Sequence, residues 1–242
     1  YKRQIIMLTL IGSTVGAVNI ISSDITKLNN YTPRDEIRIL SNSDFTQDNG
    51  VVKGSGTQSD PYIIEGWELP KIVISGTTAH FIIRNCYIEG DEDVVWAVFF
   101  DVVRNGKIKN CIIVNREDVG INIDASSDII VEECVVKHCY WGIMLNYATN
   151  NEIRYNTIYD CNGGISFDHK ETENNLLHHN EFISNLNVAA SPGLSPGANN
   201  WDNGKKGNYW DTYYTGQDAD GDGIGDTAYV IDSNNKDCLL YT

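Results

Sequence analysis

The sequence predicts an all-β chain wound as a parallel β-helix of about five to six coils with capped ends, and three observations predict it. The stretch from about His80 to Asn185 matches itself when shifted by 22 to 25 residues. Each unit carries short runs rich in Ile and Val, separated by Asn, Asp, Gly and Ser. No window carries a helical apolar stripe. One turn of chain per repeat, made of strands alone, is a stacked array in which each unit buries its apolar side against its neighbours.

The repeat columns carry physical meaning. Ala97, Gly120, Gly142 and Gly164 align, as do Val98, Ile121, Ile143 and Ile165. Two places on come Phe100, Ile123, Leu145 and Phe167, followed by Asp101, Asp124, Asn146 and Asp168. Strand alternation sends Ile121 and Ile123 inward and Asn122 and Asp124 outward. The glycine that opens each unit is expected at a corner with a sharp turn or positive φ. Upstream, Asn85, Asn110, Glu133, Asn156 and Asn180 are expected to form an amide ladder at a bend, broken at Glu133.

In chain order, Lys2 and Arg3 precede an apolar run from Ile5 to about Val18, over residues 1–18. A basic start and a short apolar segment with a small-residue exit form a secretory signal. The run is short for a membrane span. Its fate is left open between cleavage, membrane anchoring through residues 5–18, and retention as a packing or assembly strand. Residues 19–60 are an entry segment and cap, with a glycosylation sequon at Asn30 if the chain is exported. There Ile37 and Ile39 alternate as a short strand, and Gly50, Gly54 and Gly56 mark turns. The β-helix proper is expected over 61–190. Its first coil, Tyr62–Trp67, parallels Phe81–Cys86, and Ile72 and Ile74 parallel Val98 and Phe100. Residues 191–242 open with two Ser-Pro-Gly turns. Trp201, Tyr209, Trp210, Tyr213 and Tyr214 follow, and are expected to close the last coil's apolar end rather than to stack on sugars.

Charge narrows the partners. The 33 acidic against 18 basic residues, the net charge of −15 and the lack of a basic stripe argue against a nucleic-acid partner. An acidic coat suits solubility and divalent cations. Six cysteines in an exported chain invite disulfides. Cys139 and Cys161 each lie three residues before a repeat glycine, so they stack on adjacent coils and are candidates to pair. Cys86, Cys111 and Cys134 form a second column in which only two can pair, and buried small fillers are the alternative for both columns.

The sharpest local motif is Asp218-x-Asp220-x-Asp222-Gly223-Ile224-x-Asp226. Carboxylates at positions 1, 3 and 5, a turn glycine at 6, a carbonyl at 7 and an acid at 9 form a calcium (Ca2+) loop. Position 12 is Tyr229, not Glu, so the motif resembles the loops of thrombospondin type 3 repeats or dockerins rather than an EF-hand. Asp232 or Asp211 would complete the shell, and the expected role is to clamp the C-terminal cap.

Several pieces together resemble archaeal NosD-like surface proteins: Gly54-Ser55-Gly56-Thr57, Asp60-Pro61-Tyr62-Ile63-Ile64-Glu65-Gly66-Trp67, the Gly-Ile units, Gly207-Asn208-Tyr209-Trp210 and the acidic loop. The resemblance covers roughly residues 40–235. It implies a right-handed β-helix of the pectate-lyase type and an extracellular or cell-surface location, and it carries no settled activity. The NosD name also suggests copper. Imidazole suits copper, but His80, His138, His169, His178 and His179 do not recur at ligand spacing, and His178-His179 is expected at a surface bend.

Two functions follow. The first is a calcium-stabilised, non-enzymatic rod that binds glycans or like subunits, as a homo-oligomer or filament, through Asn122, Asp124, Asn146 and Asp168. The second is a calcium-dependent polysaccharide lyase or glycoside hydrolase using Asp101, Asp124 and Asp168 with His169 nearby, since stacked carboxylates lie at separations that glycoside hydrolysis uses.

Overall fold

The computed structural model describes residues 31–90, 95–115, 118–190, 196–211 and 217–241. The apolar segment 1–18, the sequon at Asn30, and Tyr213 and Tyr214 of the aromatic patch lie outside these residues.

Each coil lays down three strands, one in each of three parallel sheets. In the first full coil these are Tyr62–Glu65 (sheet I), Trp67–Leu69 (sheet II) and Ile72–Ser75 (sheet III). Sheets I and III each have seven strands and sheet II has eight. The chain is therefore a parallel β-helix of about five turns, as the repeat predicts. Inward residues align coil on coil: Ile72, Val98, Ile121, Ile143 and Ile165, and beside them Ile74, Phe100, Ile123, Leu145 and Phe167. All of them are at most 1 % exposed. Each buried side chain of this size contributes about 1.5–3 kcal/mol.

The entry segment extends the array before Pro61. Thr32–Pro33 pairs with sheet II and Ile37–Ile39 with sheet III, in parallel register. Val51–Lys53 closes sheet I as an antiparallel strand, and Phe45 stacks on Tyr62 at 4.5 Å. At the other end Trp201 and Trp210 are buried against Phe167 and Phe182, with ring centroids 5.5 and 4.6 Å apart. These rings fill the space that the next coil would occupy.

Two expectations about the corners need correction. The Asn85–Asn110–Glu133–Asn156–Asn180 column is in fact two columns, one residue apart. Asn85, Asn110 and Glu133 share the left-handed corner residue with Tyr155 and His179, all with φ between 48° and 57°. Asn156 and Asn180 occupy the next position, the one held by Cys86, Cys111 and Cys134 in earlier coils. Matching asparagine to asparagine slipped the register by one where the coil shortens.

The inner position is the true ladder. The Cys134, Asn156 and Asn180 N–H groups donate to the Oδ1 atoms of Asn156, Asn180 and Asn208 at 2.9–3.1 Å. A second ladder turns the corner from sheet III to sheet I, through Ile129, Asn151, Asn175, Asn199 and Asn235. These amides take up backbone groups that the turns leave unpaired inside the protein.

The repeat glycines are the second correction. Gly120 and Gly142 lie inside strands and are not among the positive-φ residues. A Cβ on Gly120 would meet the Gly142 carbonyl at 2.7 Å and Val136 at 2.8 Å. Close approach, not backbone angle, demands glycine there.

Five of the six cysteines stack in two columns, and all six, the exposed Cys238 included, stand as free thiols. Cys86, Cys111, Cys134, Cys139 and Cys161 are buried, each donating to the carbonyl two residues back at 3.2–3.5 Å. The neighbouring Cys111 thiol, and then burial, hold the Cys86 thiol well above the ordinary range.

Candidate functional site

Sheet III has the longest strands, and its outward face is where side chains of one kind accumulate. Ser75, Asp101, Asp124 and Asn146 lie in register on successive coils. Asp168 follows the end of its strand, is exposed, and donates its N–H to the Leu145 carbonyl at 3.0 Å. Within the row Ser75 donates to Asp101 at 2.8 Å and Asn146 to Asp124 at 3.1 Å. Burial, with the charges of Asp101 and Asp168, raises the Asp124 pKa above the ordinary carboxylate value against the hydrogen bond from Asn146.

The next outward row is Phe99, Asn122, Met144 and Ser166. Asn122 is 5 % exposed and Ser166 fully buried, and neither Asn122 Oδ1 nor Ser166 Oγ has a hydrogen-bond partner. A buried polar group left unpaired costs about 1–3 kcal/mol. Two of them beside a polar row ask for a buried water to complete them. Aromatic rings flank the rows. Trp96 stacks on Phe99 at 4.2 Å, and the Trp141 ring covers Gly163, where any Cβ would collide with it.

This face can accept hydrogen bonds from hydroxyls and stack an apolar ring face. As an acid–base site it is less well furnished. His169 stacks on Tyr147 with centroids 3.7 Å apart, and its Nδ1 accepts the Glu171 N–H at 3.3 Å. Asp101 and Asp124 are each engaged by a neutral donor from the neighbouring coil.

The acidic motif folds into a compact loop. One carboxylate oxygen from each of Asp218, Asp220 and Asp222 lies within 4.8 Å of the others. Asp218 accepts the Gly221, Asp222 and Gly223 N–H groups at 2.8–3.1 Å, and Asp222 accepts that of Ile224 at 2.7 Å. Asp226 stands apart from the trio and accepts the Ala219 N–H at 2.8 Å, closing the loop. Ile224 bridges to Tyr241, which ties the loop to the C-terminal segment.

The histidines are dispersed. His138 pairs with Asp160 at 2.8 Å. His178, expected at a surface bend, is instead 4 % exposed, bonded to Glu152 at 3.0 Å and to His179 at 2.7 Å. The alternation of the sheet I strand Leu176–His178 turned it toward Glu152 and Arg154, a placement that only coil stacking reveals. Among the described residues the one group of three or more His, Cys, Asp or Glu side chains close enough to share an ion is the all-oxygen Asp218–Asp220–Asp222 set. Oxygen donors suit calcium, magnesium or manganese, whereas copper favours imidazole and sulfur. The residues do not fit a copper centre.

A family model described as "Periplasmic copper-binding protein (NosD)" matches residues 3–215. No curated protein and no solved structure matches the chain. No helix among the described residues is long and apolar enough to cross a membrane.

Proposed function

The chain belongs to the NosD family, and on that premise we propose that it is an exported, calcium-stabilised β-helix rod that binds glycans through the outward face of sheet III. One observation carries the reading: the outward row of Asp101, Asp124 and Asn146 lies in register on successive coils, with the Trp96, Phe99 and Trp141 rings beside it. Sugar hydroxyls both donate and accept, so they complete such a surface, and Trp141 and the Trp96–Phe99 pair offer flat faces for a pyranose ring. For the copper in the family's description no group of three or more His or Cys donors is close enough to share an ion among the described residues, so no step is routed through it.

Calorimetric titration with neutral and uronic oligosaccharides tests the reading. Saturable binding is expected, weakened by Trp141→Ala and by Asp124→Asn. Binding untouched by both would remove sheet III as the site. Glycan cleavage abolished by Asp124→Ala would turn the reading toward the lyase or hydrolase.

The acidic loop is the proposed calcium clamp. Chelation is expected to lower the melting temperature, and Asp220→Ala to mimic it; no change in either would end the calcium proposal. In an oxidising compartment Cys139 and Cys161, and one pair from Cys86, Cys111 and Cys134, are proposed to bridge. The intact mass of alkylated, unreduced protein reads this out.

A further inference from the structure

A concave site lies where the corner between sheets I and II meets the C-terminal segment. It is a cleft of about 360 Å³, within the range of small-molecule sites. Tyr155, Thr157, His179, Glu181, Lys206 and Tyr241 line it. Lys206 Nζ sits 3.8 Å from the centre of the Tyr241 ring, and the Tyr155 and His179 rings are 4.8 Å apart.

His179 is the end of a chain. The Glu152 carboxylate accepts from Arg154 Nη1 at 2.8 Å and from His178 Nε2 at 3.0 Å. A carboxylate held by a guanidinium only accepts, so His178 carries a proton on Nε2. The two Nδ1 atoms of His178 and His179 are 2.7 Å apart. When both rings are neutral, His178 Nδ1 is the acceptor and His179 Nδ1–H the donor. That leaves His179 Nε2 as a lone-pair acceptor on a residue that lines the cleft. Burial, His178 and Lys206 all hold the His179 pKa below the ordinary histidine value, which favours this neutral form.

The lining also selects a ligand class. No aliphatic side chain lines the cleft, so an apolar ligand gains little there. Lys206 and Glu181 offset each other, and a chain of net charge −15 repels polyanions. Donors and acceptors of both kinds on a lining that includes two tyrosines suit a neutral ring rich in hydroxyls. We propose that this cleft binds a neutral saccharide unit, with His179 Nε2 accepting one of its hydroxyls and the His178–Glu152 chain fixing the tautomer that makes Nε2 an acceptor. The proposal is independent of the sheet III face.

Protonation reverses the arrangement. A proton taken up at His179 Nε2 lets the His179 Nδ1 proton pass to His178 Nδ1, where Glu152 compensates the imidazolium. Nε2 then donates instead of accepting. The groups facing the pair are Glu152 and Arg154 from sheet I, Tyr155 at the corner, Glu181 from sheet II, and Lys206 and Tyr241 from the C-terminal segment.

The test is nitrogen NMR of histidine-labelled full chain, titrated with glucose and, for comparison, glucuronate and glucosamine. At neutral pH His179 is expected in the Nδ1–H form, with glucose shifting its Nε2 resonance saturably and more strongly than either charged sugar. Affinity is expected to fall about tenfold in His179→Ala and in Glu181→Gln, the size of one lost hydrogen bond. It also falls on acidification as Nε2 gains its proton. Glu152→Ala, which removes the acceptor that fixes His178 Nε2–H and leaves the cleft lining intact, is expected to move His179 toward the Nε2–H form and to weaken glucose binding. His179 found as Nε2–H in the native protein at neutral pH, or a glucose response unchanged in His179→Ala, overturns the proposal. So does a response abolished by Trp141→Ala, which would assign the binding to sheet III.

Discussion

Asp237 Oδ2 accepts the backbone N–H of Asn208 at 2.7 Å and its side-chain Nδ2 at 3.1 Å, so a buried carboxylate ends the amide ladder. The same oxygen takes the Trp210 Nε1–H at 2.9 Å. The Asn199 ladder ends alike, on Asn235 Oδ1, which also accepts from Trp201 Nε1 at 3.3 Å. Both ladders and both buried tryptophans therefore finish on one short C-terminal stretch, next to the acidic loop.

Burial lifts Asp237 from an ordinary 3.8 to about 6, against the hydrogen bonds from Trp210 and Asn208. A carboxyl whose folded pKa is raised stabilises fully below its unfolded pKa, and that stability is lost as pH rises through the folded value. Unfolding free energy is expected to fall by about 3 kcal/mol between about pH 4 and pH 6 from this group. Asp237→Asn keeps an oxygen for Asn208 and Trp210 and should flatten that limb in denaturant titrations at several pH values.

Glu132 works in the opposite sense. It sits in an outward row of sheet I, Glu65–Arg84–Lys109–Glu132–Arg154–His178. Burial acts to raise its pKa, but Arg154, Lys107 and Lys109 outweigh it and hold the group at about 2. This contribution is present above the unfolded value of 4.5 and is lost as pH falls toward 2. Glu132→Gln is expected to cost about 3 kcal/mol at neutral pH and to shallow the acid limb of the melting profile.

Asn180 is the middle rung of its ladder. It accepts from Asn156 twice and donates to the Ile153 carbonyl and to Asn208. Asn180→Ala leaves at least two buried backbone groups unpaired, so about 2–4 kcal/mol is expected to be lost. An exposed control such as Asn203→Ala should change little in the same denaturant titration.

Val102 is an exposed, β-branched residue held at φ 53°. It occupies the corner where Gly76 stands one coil earlier. The left-handed conformation costs a residue with a branched Cβ about 1–2 kcal/mol, and asparagine tolerates it. Val102→Asn is expected to stabilise the fold by about 1 kcal/mol, read as a rise in melting temperature.

The fold was legible because period and alternation are written into the sequence itself. Ile121 and Ile123 recur at one spacing and can only face inward. The outward row of Asp101, Asp124 and Asn146 follows from the same alternation, and the Asp218–Asp222 trio from its own spacing. The amide ladders were half legible. Asparagine recurs visibly, but a one-residue change in coil length put Asn110 and Asn156 in different columns. Gly120 was read for backbone freedom, whereas its reason is a carbonyl on the coil above. The His178–His179 chain left no signal, since its partner Glu152 lies on another coil, 26 residues away.

The sequence by itself determined the parallel β-helix, the inward columns, the excess of acid and the close spacing of Asp218, Asp220 and Asp222. These depend on the order of residues along the chain, where strand periodicity and short-range turn chemistry act. Only the tertiary structure decided which polar side chains are buried, which of them lack partners, and which meet across coils. Stacking brings residues some two dozen positions apart to within hydrogen-bond distance. The exact length of every coil between them sets which ones meet.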